Sequence, residues 1–206
     1  MKGKPHDARE AVLASAVKAF ARSGYAGTSV QDILRVTGLS KPTLYYYFES
    51  KAGLFRAILD FAYDESFRLM QAGATDQPTC QQRLIKVAAA LFAFAGRHQN
   101  LTRLVFATVF AASEEIPKDS IDLKKRRRNF EFVLEIVRVG QASGELDSAY
   151  APLELAHGIF GAISHQIRTH LLQRQGPLDR HRAERVVALF FQGAHPRKSP
   201  PLNPVR

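Results

Sequence analysis

The chain has 206 residues, of which 46% are hydrophobic and 23% charged, and this composition predicts a folded protein of one or two domains rather than a disordered one. Its longest apolar run, residues 87–95, is about half of the ~20 residues that a membrane-spanning helix needs, and its one cysteine, Cys80, excludes an internal disulfide and a multi-cysteine zinc site. A net charge of +10, with a polar N-terminus that lacks a secretory pattern, favours a cytoplasmic protein that meets a polyanion.

Helical periodicity recurs along almost the whole sequence, and strand signals are nearly absent, which predicts an all-α fold. In the first predicted helix, over about residues 7–22, an apolar stripe runs through Leu13, Val17 and Phe20. Gly24 lies just beyond its end, where a helix commonly stops.

Two short amphipathic helices follow. Thr28 and Ser29 offer capping side chains for a second helix of about two turns. After a glycine turn, a third short helix begins near Ser40 and carries Leu44 and Phe48 inward. Two short helices with this connection match the helix-turn-helix unit, whose second helix enters the DNA major groove.

The outward-facing side chains of this unit have the chemistry that DNA recognition needs. Lys41 can donate to guanine or phosphate, and Pro42 and the Thr43 methyl group can pack on a thymine methyl group. Tyrosine hydroxyls, Lys51 and the backbone amides at the start of the second helix can donate to phosphates. Thr28 and Ser29 are capping residues first, and Tyr45 can serve packing as well as phosphate contact. The candidate DNA-binding residues are Thr28, Ser29, Gln31, Lys41, Pro42, Thr43, Tyr45, Tyr46, Tyr47 and Lys51.

A fixed pattern of caps, apolar residues and aromatics runs through this region. It comprises Thr28, Ser29, Ile33, Gly38, Ser40, Lys41, Thr43, Leu44, Tyr45, Tyr47, Phe48, Lys51 and Leu54. This pattern resembles the DNA-binding domain of the TetR family of transcriptional regulators, over about the first 66 residues. The resemblance implies base contacts from Lys41, Pro42, Thr43 and Tyr46, and phosphate contacts from Tyr45, Tyr47 and Lys51. Position 42 is more often glycine in the family and position 47 often histidine, which bears on the bases that are read.

Longer helices are predicted in the rest of the chain, at about 51–71, 79–98, 100–112, 120–142, 152–174 and 181–192, giving about nine helices in total. We therefore expect a DNA-binding domain over 6–66 with its helix-turn-helix at about 29–48, a larger helical bundle over 67–192, and a disordered proline-containing tail over 193–206.

By resemblance, the larger domain dimerises through its last two long helices and holds a ligand pocket. The predicted interface residues are Gly158, Gly161, Ala162, His165, Val187, Phe190 and Phe191, with the less favoured alternative that the small residues only admit neighbouring helices of the same chain. Phe92, Phe94, Phe106 and Phe110 are best explained as bundle core. If some of them line a cavity, an apolar or aromatic effector is favoured.

Two other patterns are explained more simply as structural features. Glu154 and His157 have the spacing of a di-metal ligand pair, but the second motif that such a site needs is missing from the sequence, so no metal is predicted. The basic run 124–128 wraps more than one helical turn and is expected to be a solvated helix start. No catalytic constellation is found, and neither an enzyme nor a cofactor is predicted.

Taken together, the sequence predicts a ligand-responsive transcriptional repressor that binds a palindromic operator as a homodimer. Its expected partners are double-stranded DNA, a second copy of the chain and a small-molecule effector, and it would lie on the nucleoid when bound. The alternatives are a nucleoid or division-control protein on the same scaffold, without metabolite control, and an α-helical carrier or enzyme.

Overall fold

The structure, a computed structural model, describes residues 5–109, 111–112, 115–118, 120–173 and 176–194. Those residues form nine α-helices and no strand, which confirms the predicted all-α fold. The helices are α1 (Pro5–Ser23), α2 (Val30–Thr37), α3 (Lys41–Phe48), α4 (Lys51–Ala74), α5 (Cys80–Arg97), α6 (Gln99–Val109), α7 (Leu123–Ala142), α8 (Pro152–Gln173) and α9 (Arg180–Ala194). Of the predicted tail, residues 195–206 lie outside the described residues, as does Phe110 of the predicted core.

Local capping explains where α7 departs from its predicted range. The helix starts at Leu123 instead of about residue 120, because the Asp122 carboxylate accepts hydrogen bonds from the amides of Lys124 and Lys125. A carboxylate at this position satisfies amides that have no partner inside the helix. Helix α4 runs three residues further than predicted and ends at Ala74.

The N-terminal helices enclose a first apolar cluster. Val12, Phe20, Ile33, Leu44 and Phe55, from α1 through α4, are all fully or almost fully buried in it. The end of α5 and one face of α6 also belong to this cluster, through Phe94, Leu101 and Leu104. The support of the first three helices therefore comes partly from distant sequence.

A second apolar cluster occupies the centre of the remaining helices. Its buried members include Met70 of α4, Val87 of α5, Val137 of α7, Ile159 of α8 and Val187 of α9. Helix α4 contributes to both clusters and passes without a break through the predicted domain boundary at 66–67. A displacement of α4 would thus be felt in both halves of the molecule.

Charged side chains join the middle of α4 to the start of α7. The Asp64 carboxylate lies 2.6 Å from Lys125 Nζ and 2.9 Å from Arg128 Nη2. Asn129 donates to the Tyr63 carbonyl at 3.0 Å from a buried position. Lys125 and Arg128 are thus half-buried partners of α4, whereas the other three cations of the basic run are exposed.

The described part of the chain contains no helix both long and apolar enough to cross a membrane. It also contains no cluster of three or more His, Cys, Asp or Glu residues arranged to hold a metal ion. The Glu154 carboxylate accepts a hydrogen bond from the Ala151 amide at 2.8 Å, which is a helix-start contact.

Candidate nucleic-acid interface

The turn between α1 and α2 is held from beneath by Thr28. Its side chain is 2% exposed, and its hydroxyl donates to the Gly24 carbonyl at 2.7 Å, with the Ala19 carbonyl at 3.2 Å. A buried hydroxyl needs such partners, because leaving it without them costs free energy. The Thr28 side chain therefore supports the turn from inside the protein.

Helix α2 begins in a complete capping box. The Ser29 hydroxyl accepts from the Asp32 amide, and the Asp32 carboxylate accepts from the Ser29 amide at 3.0 Å. Hydrogen bonds from the Ser29 hydroxyl and amide hold the pKa of Asp32 below its usual value. Each of the two residues thus accepts a hydrogen bond from the backbone amide of the other, which satisfies two amides at the start of the helix.

This geometry narrows one sequence expectation. The backbone amides at the start of α2, near Thr28 and Ser29, were expected to face a DNA phosphate, but the Thr28 amide donates to the Tyr25 carbonyl and the Ser29 amide to the Asp32 carboxylate. The amides that a helix leaves without an internal partner are those of its first turn. Here these are the amides of Val30 and Gln31, and the Gln31 side chain beside them is exposed.

Helix α3 separates a buried face from an exposed face, as the sequence predicted. Ser40 is its N-cap and accepts from the Thr43 amide, while Leu44 and Phe48 are buried beneath it. Lys41 and Pro42 are exposed at its start. A face of this kind is free to enter a groove.

The three tyrosines of α3 differ in exposure. Tyr46 is 82% exposed and Tyr45 43%, whereas Tyr47 is half-buried. The rings of Tyr46 and Tyr47 meet edge to face with centroids 5.0 Å apart. Such an exposed aromatic surface is costly for a helix of eight residues unless a partner covers it.

The turn from α3 to α4 is short and sterically constrained. Glu49 takes a positive φ of 61°, and the Ser50 hydroxyl accepts from the Gly53 amide at 2.9 Å. A Cβ added to Gly53 would overlap the Phe48 carbonyl oxygen. Gly53 was missed in the sequence, where it looked like an ordinary helical residue, and only the packing of two helix ends requires it.

The Lys51 ammonium group faces the protein backbone. Its Nζ donates to the Thr28 carbonyl at 2.9 Å and to the Tyr25 carbonyl at 3.0 Å, and lies 4.1 Å from the centroid of the Tyr25 ring. Partial burial raises the pKa of Tyr25, whose ring packs against Phe20 and Phe55. Tyr25 was not among the predicted site residues.

These features agree with comparisons to known proteins. A sequence profile for bacterial regulatory proteins of the tetR family matches residues 12–58, which span α1, α2, α3 and the first turns of α4. Residues 12–58 therefore carry a DNA-binding region of the TetR type. The chain is thus a DNA-binding transcriptional regulator, and the TetR family consists of regulators rather than enzymes.

Two TetR-family relatives and one solved structure illustrate the similarity. The chain is 27% identical to the probable transcriptional regulator YttP of Bacillus subtilis over 154 residues, 73% of this chain and 71% of YttP. It is 39% identical to the transcriptional repressor ComR of Escherichia coli over 82 residues, 40% of this chain and 37% of ComR. The fold matches the regulator FadR of Bacillus subtilis, in complex with stearoyl-CoA, with a TM-score of 0.71 and 20% identity over 90% of this chain and 99% of FadR.

The dimer interface that the TetR resemblance predicts on α8 and α9 contains both exposed and buried residues. Gly158, Gly161 and His165 are exposed, and Ala162 and Phe190 are half-buried. Leu172 and Leu189, which the prediction omitted, are 76% and 73% exposed on the same two helices.

Two members of the predicted interface need correction. Val187 and Phe191 lie in the second cluster of this chain, with 0% and 7% exposure. They were grouped with Phe190 by apolar character alone, but the helical repeat turns positions 187 and 191 inward and leaves Leu189 outside.

The predicted core aromatics do not share one site. Phe92 belongs to the second cluster, Phe94 to the first, and Phe106 packs on the second. An open groove of about 470 Å³ lies instead between α4 and α7. Its lining residues are Phe67, Arg127, Arg128, Glu131, Phe132, Leu134, Glu135 and Arg138.

Proposed function

We propose that this regulator is a repressor that binds a palindromic operator as a homodimer, in the cytoplasm and on the nucleoid when bound. The observation that supports it best is the exposed surface of α3, where Lys41, Pro42 and Tyr46 project from a helix whose opposite face is buried. The similarity to ComR, which is a transcriptional repressor, favours repression.

In the proposed complex, α3 lies in the major groove. Lys41, Pro42, Thr43 and Tyr46 face bases, while Tyr45, Tyr47 and the first-turn amides of α2 contact phosphates on either side, with Gln31 at a base edge. Two such helices in a dimer must lie about 34–36 Å apart to enter successive major grooves. A palindromic operator follows from the two-fold symmetry of that arrangement.

The proposed dimer uses the exposed surface of α8 and α9. Gly161 is exposed and has open space in front of it, so the backbone of α8 is accessible to a neighbouring helix at this position. The nearby exposed Leu172 and Leu189 would lose their contact with water on association.

A small-molecule effector is proposed as the signal. The matched FadR structure contains stearoyl-CoA, an example of a ligand with a long apolar portion. An effector acts only through a difference in its affinity for two arrangements of the dimer, of which one has the correct spacing of the recognition helices. Helix α4 is suited to carry such a change because it belongs to both clusters.

The direct test is a binding titration of the purified chain with labelled DNA from the region upstream of its own gene. Specific binding should be at least about a thousandfold tighter than binding to random DNA at physiological salt. If the chain binds each of several fragments from this upstream region no more tightly than random DNA, operator recognition is refuted. Addition of candidate acyl or aromatic effectors should then lower the affinity of the specific complex.

A further inference from the structure

We propose that Lys51 contributes to DNA binding as a positioning residue, by fixing the turn between α1 and α2, rather than as a donor to a DNA phosphate. The proposal rests on the DNA-binding function of α3. It differs from the phosphate contact that the sequence resemblance implied for this position.

The first argument is the surroundings of the ammonium group. An ammonium has three N–H bonds, and two of them are directed at the carbonyls of Tyr25 and Thr28 at 3.0 and 2.9 Å. The Tyr25 ring lies against the same charge at 4.1 Å. Hydrogen bonds from a charged donor are about twice as strong as neutral ones, so moving this group to a phosphate would sacrifice strong contacts.

The second argument is the place of Lys51 in the chain. Thr28, one of its two carbonyl partners, directly precedes the N-cap of α2, and Lys51 itself begins α4 just after α3 ends. One side chain therefore connects the start of the helix-turn-helix to its end. Helices of eight residues are not stable alone in water, and their relative position must come from such tertiary contacts.

The third argument is that the rest of the turn is built from contacts inside the protein. The buried Thr28 hydroxyl holds the turn from below, and the Ser29 amide is bonded to Asp32. Lys51 adds a contact from the start of α4, and without it the Thr28 carbonyl loses the hydrogen bond from the ammonium group. A shift of this turn moves the start of α2 and, through α2, the position of α3.

Hydrogen exchange of the free protein tests the positioning role without DNA. In Lys51→Met, which keeps the apolar stem and removes the donor, the hydrogen-bonded amides of Thr28, Ser29 and Asp32 should exchange about tenfold faster than in the wild type. The matched control is Lys41→Met, which removes an exposed lysine ten residues earlier and should leave these amides unchanged. Unchanged exchange in Lys51→Met overturns the proposal.

The salt dependence of DNA affinity is the second readout. A lost phosphate contact makes the slope of log K against log salt shallower by about 0.9 for each protomer bound. We expect Lys51→Met to bind about tenfold more weakly at every salt concentration, with the slope of the wild type, and Lys51→Arg to restore the affinity. A shallower slope of that size overturns the proposal.

The two readouts separate the failure of each idea. If the wild type does not bind DNA specifically, the proposed function fails, while the exchange data still decide the structural role of Lys51. If Lys51→Met does not fold, Lys51→Gln replaces it, because an amide donor without charge retains part of the contact. The amides of this variant should then exchange at rates between those of the wild type and the unfolded chain, and the salt slope of its DNA affinity should be unchanged. Exchange at the wild-type rate, or a shallower salt slope, refutes the positioning role.

Discussion

At the scale of single residues, side chains of the same type have different roles according to burial. Thr28 is buried and holds a turn, whereas Thr43 lies at the edge of the exposed surface of α3, with its hydroxyl 2.9 Å from that of Ser40. Lys41 is exposed and Lys51 is bonded to carbonyls. Mutations at these paired positions should therefore separate stability from recognition.

The first prediction concerns the buried threonine. Thr28→Val keeps the shape of the side chain but removes the buried hydroxyl that donates to the Gly24 and Ala19 carbonyls, and should lower the free energy of unfolding by about 1–3 kcal/mol. Urea denaturation measures the change. Thr43→Val is the control and should alter stability by less than about 0.5 kcal/mol. Equal losses in the two variants would contradict the assigned role of Thr28.

The second prediction concerns base recognition. Lys41→Ala should relax the base preference at one position of each half-site by about 1–3 kcal/mol, because a lysine directed at a base edge discriminates at that position only. Competition binding with operator variants measures it. Lys18→Ala, an exposed lysine of α1, serves as the control. Uniform weakening on all sequences would instead show that Lys41 contacts phosphate.

At the scale of helices, the connection of α4 to α7 combines apolar packing with ion pairs. Burial alone would raise the pKa of Asp64, but hydrogen bonds from Lys125 and Arg128 outweigh it and lower the pKa below its usual value. The carboxylate is half exposed, so screening limits the contribution of these pairs to stability. The pairs thus orient the two helices more than they stabilise the fold.

The third prediction follows from that pKa. Because the folded pKa of Asp64 is lowered, its contribution to stability is present above the unfolded pKa of about 3.9 and is lost as the pH falls through the folded value. Asp64→Asn should therefore destabilise by less than about 1 kcal/mol at pH 7 and by less still below pH ~3. Denaturation at both pH values, with Glu135→Gln as an exposed ion-pair control within α7, measures the difference. A loss that grows in acid would contradict the prediction.

At the scale of the whole molecule, the exposed surface of α8 and α9 is the one that we propose for a second copy. It combines two exposed glycines, Gly158 and Gly161, with two exposed leucines, Leu172 and Leu189. Arg103 of α6 also donates to the Leu171 carbonyl of α8 at 3.0 Å. Since α6 packs in the first cluster through its other face, this surface is joined to the DNA-binding helices.

The fourth prediction tests this surface. Gly161→Arg has room in the single chain, since a Cβ at this position meets no described atom within 4 Å, and arginine favours a helix over glycine by about 1 kcal/mol. We expect a folded monomer at micromolar concentration by analytical ultracentrifugation. Gly96→Arg, at an equally open position on α5, should remain dimeric. A dimeric Gly161→Arg would place the interface elsewhere.

Local patterns predicted the helices and the exposed face of α3 well, because helix capping and helical periodicity act between residues a few positions apart. They could not predict the directions of Val187 and Phe191, nor the amide partners of Thr28 and Ser29. Apolar residues on a helix look alike in sequence, and only the neighbouring helices determine which of them lie inside.

By itself the sequence determined the resemblance to the TetR family, the all-α class, the order of the helices and the exposed face of α3 that we propose reads DNA, since all of these depend on local spacing. Only the tertiary structure decided that Lys41 is exposed while Lys51 is bonded to backbone carbonyls. It also decided that α6 supports the DNA-binding helices and that two cations of the basic run pair with α4. Each of these contacts joins residues that are more than twenty positions apart. Contacts over such separations depend on how helices pack, and a pattern of neighbouring residues does not contain that information.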